Sequence, residues 1–330
     1  MTNSRLTVKF WGVRGSIPAP LSPALVEQKM HRLMRAAFDA GVTAETLDAW
    51  LATQPRHAVS TYGGNTSCVE VRAGGELIIL DMGTGLRELG NSLLPEIFRS
   101  GSLNATVLVS HVHWDHIQGF PFFAPIYFPR ERVAGRLTFW GGVNWGKPLR
   151  TVLGDQMVAP KFPVPFRKIE QEGPLMKFHT VSDRQQIVIP TPAGNIVITC
   201  RRLNHPNETY GFRIAFQGAA LTYATDNENL SVPDPPLVEL MAQSDLSIND
   251  CQFDRAEYLG RNGAPPKITH GHCEPVYVSD TARIARPLAL VTTHHNPGAS
   301  DAHVASIARE VQTLSGIPTQ AAYEGLTIEL

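Results

Sequence analysis

"VSHVHWDHIQGF", residues 109–120, places three histidines and an aspartate within six positions, directly after an apolar run. A core does not tolerate four such side chains unpaired, and a solvated loop has no need of them. In H-x-H the imidazoles of His111 and His113 lie two residues apart. On extended backbone both then project to one side, where they can share one cation. Asp115 and His116 follow on the turn and point elsewhere, which suits a second cation. Imidazole and carboxylate donors together fit Zn²⁺, Mn²⁺ or Fe. Four residues cannot fill two coordination spheres, so more donors are expected downstream. Three stretches offer them at strand ends: "RRLNHPNETYGFRI" with His205, "LTYATDNENL" with Asp226, and "LVTTHHNP" with His294 and His295. A carboxylate at a strand end can bridge two cations.

Working outward, "LTVKFWG" reads as a strand over Leu6 to Trp11. In "SPALVEQKMHRLMRAAFDAG", Ser22 can cap a helix, Pro23 takes its first position and Gly41 can close it. Leu25, Val26, Met30, Leu33, Met34, Ala37 and Phe38 share one face. Thr43 can cap a second short helix carrying Leu47, Trp50 and Leu51. Residues 22–54 are thus expected to form a helical hairpin inserted between strands. Its apolar surface needs cover: its own domain, a second copy in a homodimer, or the active site it roofs. "CVEVRAGGELIILDMGTG" gives two strands that end at Asp81 and a glycine-rich turn, and "ATVLVSHVH" delivers the cluster. Residues 121–180 read as long ordered loops around one strand, "RLTFWG". Strands then alternate to Asp226, followed by mixed strands and helices to the final helix, "SDAHVASIAREVQTLSG". Residues 1–330 are expected to form a single α/β (α+β) domain built as a four-layer αββα sandwich.

Composition narrows the function classes. A formal net charge of −1 leaves no footprint for bulk nucleic acid. Four scattered cysteines without C-x-x-C spacing read as reduced thiols, and the opening residues carry no apolar leader segment. No stretch approaches the ~20 apolar residues that cross a bilayer. A cytoplasmic protein with no membrane partner is expected.

The H-x-H-x-D-H cluster, followed by a separate histidine, aspartate and histidine, resembles the metallo-β-lactamase superfamily. The subgroup it resembles holds tRNA 3′-processing endonucleases, PhnP-type phosphodiesterases and cyclic-nucleotide phosphodiesterases. The likeness runs through "FWGVRGSIP", "GGNTSCVEVR", "LIILDMGTGLRELG", "HPNETYGFRI", "YATD" and "ITHGHCE" to the last histidine pair. It implies that His111, His113 and His205 hold one divalent metal ion, and that Asp115, His116 and His294 hold the other. Asp226 and a water or hydroxide would bridge the two. The resemblance further implies zinc as the metal, with manganese or iron as alternatives. Asp81 matches the buried aspartate that props the metal loop. His272 matches a second catalytic histidine that donates a proton, with His270 its neighbour and competitor. Asp115, Asp226 and His272 are therefore the expected catalytic residues. His294 is favoured over His295 because it aligns with the family's ligand. His31, His57, His179 and His303 fall in no such pattern and are taken as ordinary.

Two cations roughly 3.5–4 Å apart can lower the pKa of water toward ~7 and clamp a phosphoryl group. The same site suits lactones, thioesters and other carbon esters, so a carbon-ester hydrolase and an RNA 3′-processing nuclease stand as alternatives. In the tRNA endonucleases a long tRNA-gripping arm lies between the third histidine and the bridging aspartate. Here His205 and Asp226 are 21 positions apart, room for a hairpin only. The expected substrate is a small phosphodiester, a cyclic nucleotide among them.

Overall fold

The computed structural model describes residues 5–228, 232–261 and 263–330. The leader-free reading of the chain start falls partly on Met1–Ser4, outside the described residues. Two seven-stranded sheets carry the chain. The first runs Thr327–Glu329, Leu6–Gly12, Cys68–Ala73, Glu76–Leu80, Ser102–Leu108, Ala134–Gly141, Leu175–Thr180 in spatial order. The second runs Thr319–Ala321, Leu290–Thr293, Leu246–Asp250, Ala219–Ala224, Thr209–Phe216, Gly194–Leu203, Gln186–Thr191. Each sheet is antiparallel over one part and parallel over the other. Leu6, Val8 and Phe10 alternate inward from the first strand. They meet Ile196, Ile198, Phe212 and Ile214 of the second sheet in one buried core between the layers. Helices cover the outer faces. Gly85–Ser100, Leu149–Gln156 and Phe166–Glu172 pack on the first sheet, and Pro235–Met241, Pro275–Ala285 and Asp301–Ser315 on the second. The expected αββα layering is what the chain adopts.

Several local expectations are corrected. Residues 121–180 are not mainly loop. They hold two helices, a two-stranded ribbon and a second sheet strand, Leu175–Thr180, beside Ala134–Gly141. Pro148 and Pro165 begin those helices as caps, which a reading of proline as a breaker misses. Gly85–Ser100 is a 16-residue helix with Pro95 inside it. Its glycines and proline argue locally for a turn, but burial of Leu86, Leu89, Leu93 and Ile97 holds it in place. The cap of the second N-terminal helix, Leu47–Thr53, is Thr46 rather than Thr43.

The first N-terminal helix, Pro23–Asp39, is capped by Ser22 with Pro23 at its start, as its sequence indicates. It packs against the short helix Arg56–Val59, and Lys29 reaches Asp301 at 2.5 Å. Its apolar row is not taken up by its own domain. Leu25, Met30 and Met34 are at least half exposed, and Phe38 is 79% exposed. Among the described residues, no helix is long and apolar enough to cross a membrane. No disulfide joins the four buried cysteines.

Candidate metal centre

The site forms where parallel strands of both sheets end, the usual place for a site in a parallel sheet. Leu80 leads into Asp81, Leu108 into the histidine cluster, Ala224 into Asp226 and Thr293 into His294. Asp81, Asp226 and His294 have positive φ, at 60°, 50° and 59°. This left-handed backbone costs an ordinary residue free energy and persists only where its surroundings impose it. Here it turns each side chain off its strand toward the shared edge. The short helix Trp114–Ile117 presents Asp115 and His116 inward, both buried.

The donor atoms fall into two groups. His111, His113, His205 and Asp226 each place a ligand atom within 4.8 Å of the others, as do Asp115, His116 and His294. Asp226 links them through its two oxygens. Its Oδ1 lies 3.6 Å from His111 Nε2 and 3.9 Å from His205 Nε2. Its Oδ2 lies 3.1 Å from His116 Nε2 and 3.3 Å from His294 Nε2. Asp115 Oδ2 stands 3.1 Å from His294 Nε2 and 3.3 Å from His116 Nε2.

The Nδ1 atoms of His111, His116 and His205 are tied down, which fixes the orientation of these rings and leaves Nε2 as their donor. His113 turns Nδ1 inward, and His294 Nδ1 is buried without a hydrogen-bond partner. His116 Nδ1 donates to Asp81 Oδ2 at 2.9 Å, and His205 Nδ1 to the Gly271 carbonyl at 2.9 Å. Asp81 accepts in addition from the Ser110 amide, the Ser110 hydroxyl and the Tyr223 hydroxyl, at 2.7–2.8 Å. Ser110 Oγ spends its proton on Asp81, so its oxygen takes the Nδ1 proton of His111 at 3.1 Å. The Ser16 amide donates to Asp115 Oδ2 at 2.7 Å.

These residues fit divalent cations. His113 Nδ1 faces His205 Nε2 at 3.0 Å, and His116 Nε2 faces His294 Nε2 at 3.2 Å. Two imidazole lone pairs approach so closely only around a shared proton or cation. His111 Nε2 is buried without a hydrogen-bond partner, a cost that a bound ion removes. Burial lowers the pKa of His111 and His113, and that of His205 to about 4, so these rings are neutral, as ligands must be. Burial also disfavours charge on His116. Asp226, Asp115 and Asp81 outweigh it and hold His116 well above the usual histidine value. That excess of negative charge would stabilise a cation as it does the imidazolium.

His272 lies beside this centre, in neither of these two groups. It shares a third with Asp226 and His294, whose ligand atoms also lie within 4.8 Å of one another, and its Nδ1 is 3.8 Å from Asp226 Oδ1. Its Nδ1 donates to Asp250 Oδ2 at 2.8 Å. Burial opposes its charge, but Asp250 and Asp226 raise its pKa to about 9. His270 is exposed and belongs to none of the donor groups found among the described residues. His295 Nε2 is directed to the Ala322 carbonyl at 2.9 Å, away from the donor groups. His31 and His179 are exposed, and His57 is half-buried. His303 lies near Asp254 and Glu257, which form the capping box of the helix Arg255–Tyr258.

Two buried carboxylates that position the site escaped the sequence reading, as did Ser110 and Tyr223 around Asp81. Asp250 ends a buried strand much as Asp226 follows one, and that pattern could have flagged it. Glu228 is buried and accepts from the Tyr258 hydroxyl and the Thr269 and Gly271 amides at 2.6–2.8 Å. It thereby holds the loop that carries both the carbonyl under His205 and His272. Nothing local in "DNE" signals that role.

Two glycines let the backbone pass under the imidazoles. A Cβ on Gly271, whose φ is +89°, would sit 2.1 Å from His205 Nδ1, and one on Gly15 would sit 2.4 Å from the His294 ring. Gly271→Ala is expected to weaken metal binding in the His205 group and Gly15→Ala in the His294 group, each by roughly the 10–100-fold cost of losing an outer partner. Competition titration against a chelator reads this out. Wild-type affinity in both variants would show that the close approaches do not set the site.

Two facing sheets with histidines and aspartates gathered at strand ends along one edge define a metal-binding αββα sandwich. A family model described as the β-lactamase superfamily domain matches residues 77–295, and the chain belongs to that superfamily. The metallo-β-lactamase fold protein YhfI from Bacillus subtilis has a similar structure, with a TM-score of 0.62 at 16% identity over 99% of this chain and 100% of that one. A diphosphatase of the PhnP family has a TM-score of 0.60 at 19% identity, covering 99% of this chain and 98% of that one. Zinc-bound PqqB from Methylobacterium extorquens has a TM-score of 0.61 at 14% identity, covering 98% of this chain and 100% of that one. No curated protein sequence matches the chain.

Proposed function

We propose that this chain is a dinuclear metal-dependent phosphodiesterase acting on a small, cyclic or linear, nucleotide. The observation that carries the reading is the division of Asp226, with Oδ1 facing the His111–His205 group and Oδ2 facing the His116–His294 group. Ions held by His111, His113 and His205 on one side and Asp115, His116 and His294 on the other, with Asp226 between, would supply an activated water and charge neutralisation at the phosphoryl oxygens. Asp81 and the Ser16 amide hold His116 and Asp115 in register. His272, pinned at Nδ1 by Asp250, keeps Nε2 to deliver a proton to the leaving oxygen. Expulsion of a ribose alkoxide needs that proton because the alkoxide is strongly basic. His205 and Asp226 are joined by the strands Thr209–Phe216 and Ala219–Ala224, which supports a small substrate over a gripped tRNA.

Elemental analysis after reloading is expected to give close to two divalent ions per chain. The loaded protein is expected to turn over bis-p-nitrophenyl phosphate and a 2′,3′-cyclic nucleotide faster than a lactone or a thioester. A ceiling of one ion, or a preference for the carbon esters, overturns the proposal.

A further inference from the structure

Trp114 stands between His113 and Asp115, on the helix that supplies the second donor group, yet its side chain is 72% exposed. One residue along a helix turns about 100° around its axis, so Asp115 enters the site while the indole faces out. The indole borders a cleft of about 660 Å³, with Phe122, Phe162, Gln118, Gln156 and Lys161 among the residues around it. Phe122 is 57% exposed and meets Phe162 edge to face, with ring centroids 5.8 Å apart. Folding does not require so much aromatic surface in water, and exposed aromatic patches mark binding surfaces.

Two neutral polar side chains of the cleft, Gln118 and Gln156, fit the edge of a heteroaromatic ring, while the Asp155 carboxylate on its wall is paired with Lys147 at 2.8 Å. Gln118 donates its amide N–H to Thr66 Oγ1 at 3.2 Å, and Gln156 donates to the Ile117 carbonyl at 3.4 Å. Among the described residues neither amide oxygen accepts a hydrogen bond. Both amides are thus held on the protein side and keep an acceptor for an N–H of a ligand. The Gln156 bond ties the cleft to the helix that carries Asp115 and His116.

Resting on the phosphodiesterase reading, we infer that this cleft is the base subsite: the substrate's nucleobase lies against Trp114 and Phe122 while its phosphate occupies the centre. A flat ring recognised by stacking, with amide acceptors at its edge, separates nucleotides from phosphodiesters that lack a base. Base–aromatic stacking is worth roughly 5- to 150-fold in affinity per base.

The test compares ligands with the same phosphate and sugar, with and without the base. Calorimetry on the metal-loaded protein measures 3′-AMP against ribose 3-phosphate, and turnover measures 2′,3′-cyclic AMP against 1-O-methylribose 2,3-cyclic phosphate. The base is expected to contribute at least roughly 5-fold in both ratios. Trp114→Ala and Phe122→Ala should bring the ratios toward one, and Trp114→Phe should restore most of the difference. Ratios read the base alone, so a general loss of metal or activity does not mimic the effect. Ratios near one in the wild type, or ratios that Trp114→Ala leaves intact, overturn the subsite. Base-dependent binding that needs Trp114, without turnover of any phosphodiester, would instead sink the phosphodiesterase reading and leave the subsite standing.

Discussion

Asp226→Ala is expected to lower phosphodiester turnover by far more than the roughly 10–100-fold that loss of an outer partner costs, and to lower the metal content of both donor groups together. The reason is geometric. One carboxylate places an oxygen in each group, 3.6 and 3.9 Å from His111 and His205 on one side and 3.1 and 3.3 Å from His116 and His294 on the other. Its ionisation is secured by the site. Burial opposes the charge, but His116, His294 and His111 hold its pKa well below the usual carboxylate range. Removing it takes a negative charge from between the two groups and leaves His116 supported by Asp115 and Asp81 alone. Elemental analysis paired with bis-p-nitrophenyl phosphate assays is the measurement. A variant that keeps two ions and loses less than about 10-fold in rate would show that the groups do not depend on a shared carboxylate.

For His272→Ala the expected loss depends on the leaving group. On a 2′,3′-cyclic nucleotide it should reach about 10²–10⁴-fold, the usual contribution of a general acid. On bis-p-nitrophenyl phosphate it should be much smaller, because p-nitrophenolate departs without a proton. Asp250→Asn should show the same leaving-group pattern with a smaller loss, since it removes the charge behind Nδ1 and spares the ring. Both variants are expected to retain their metal. Equal losses on the two substrates, or loss of an ion, would make His272 a loop support or a ligand instead of the acid.

The local chemistry was legible in the chain. Spacing alone brings His111, His113, Asp115 and His116 together, because the donors are at most five residues apart and the strand end and one helical turn set their directions. The period of the apolar residues likewise marked most strands and the helix Pro23–Asp39 with its Ser22 cap. Reading by local signals fails where tertiary burial overrides them. Gly85–Ser100 is helical despite its glycines and Pro95, and the helices of residues 121–180 start at prolines.

Only the tertiary structure decided which distant groups meet. Asp115 and His294 are 179 positions apart and approach to 3.1 Å because strands from separate sheets end on one edge. His294 and His295 are adjacent and chemically identical. The positive φ of His294 turns it into the site, while His295 bonds the Ala322 carbonyl. Asp250 behind His272, and Glu228 beneath the loop of Gly271, have the same origin. Sequence spacing determines which side chains can share a cation across one turn, because backbone geometry is local. It does not determine which buried carboxylate stands behind which histidine, because that follows from strand order and from how the two sheets pack.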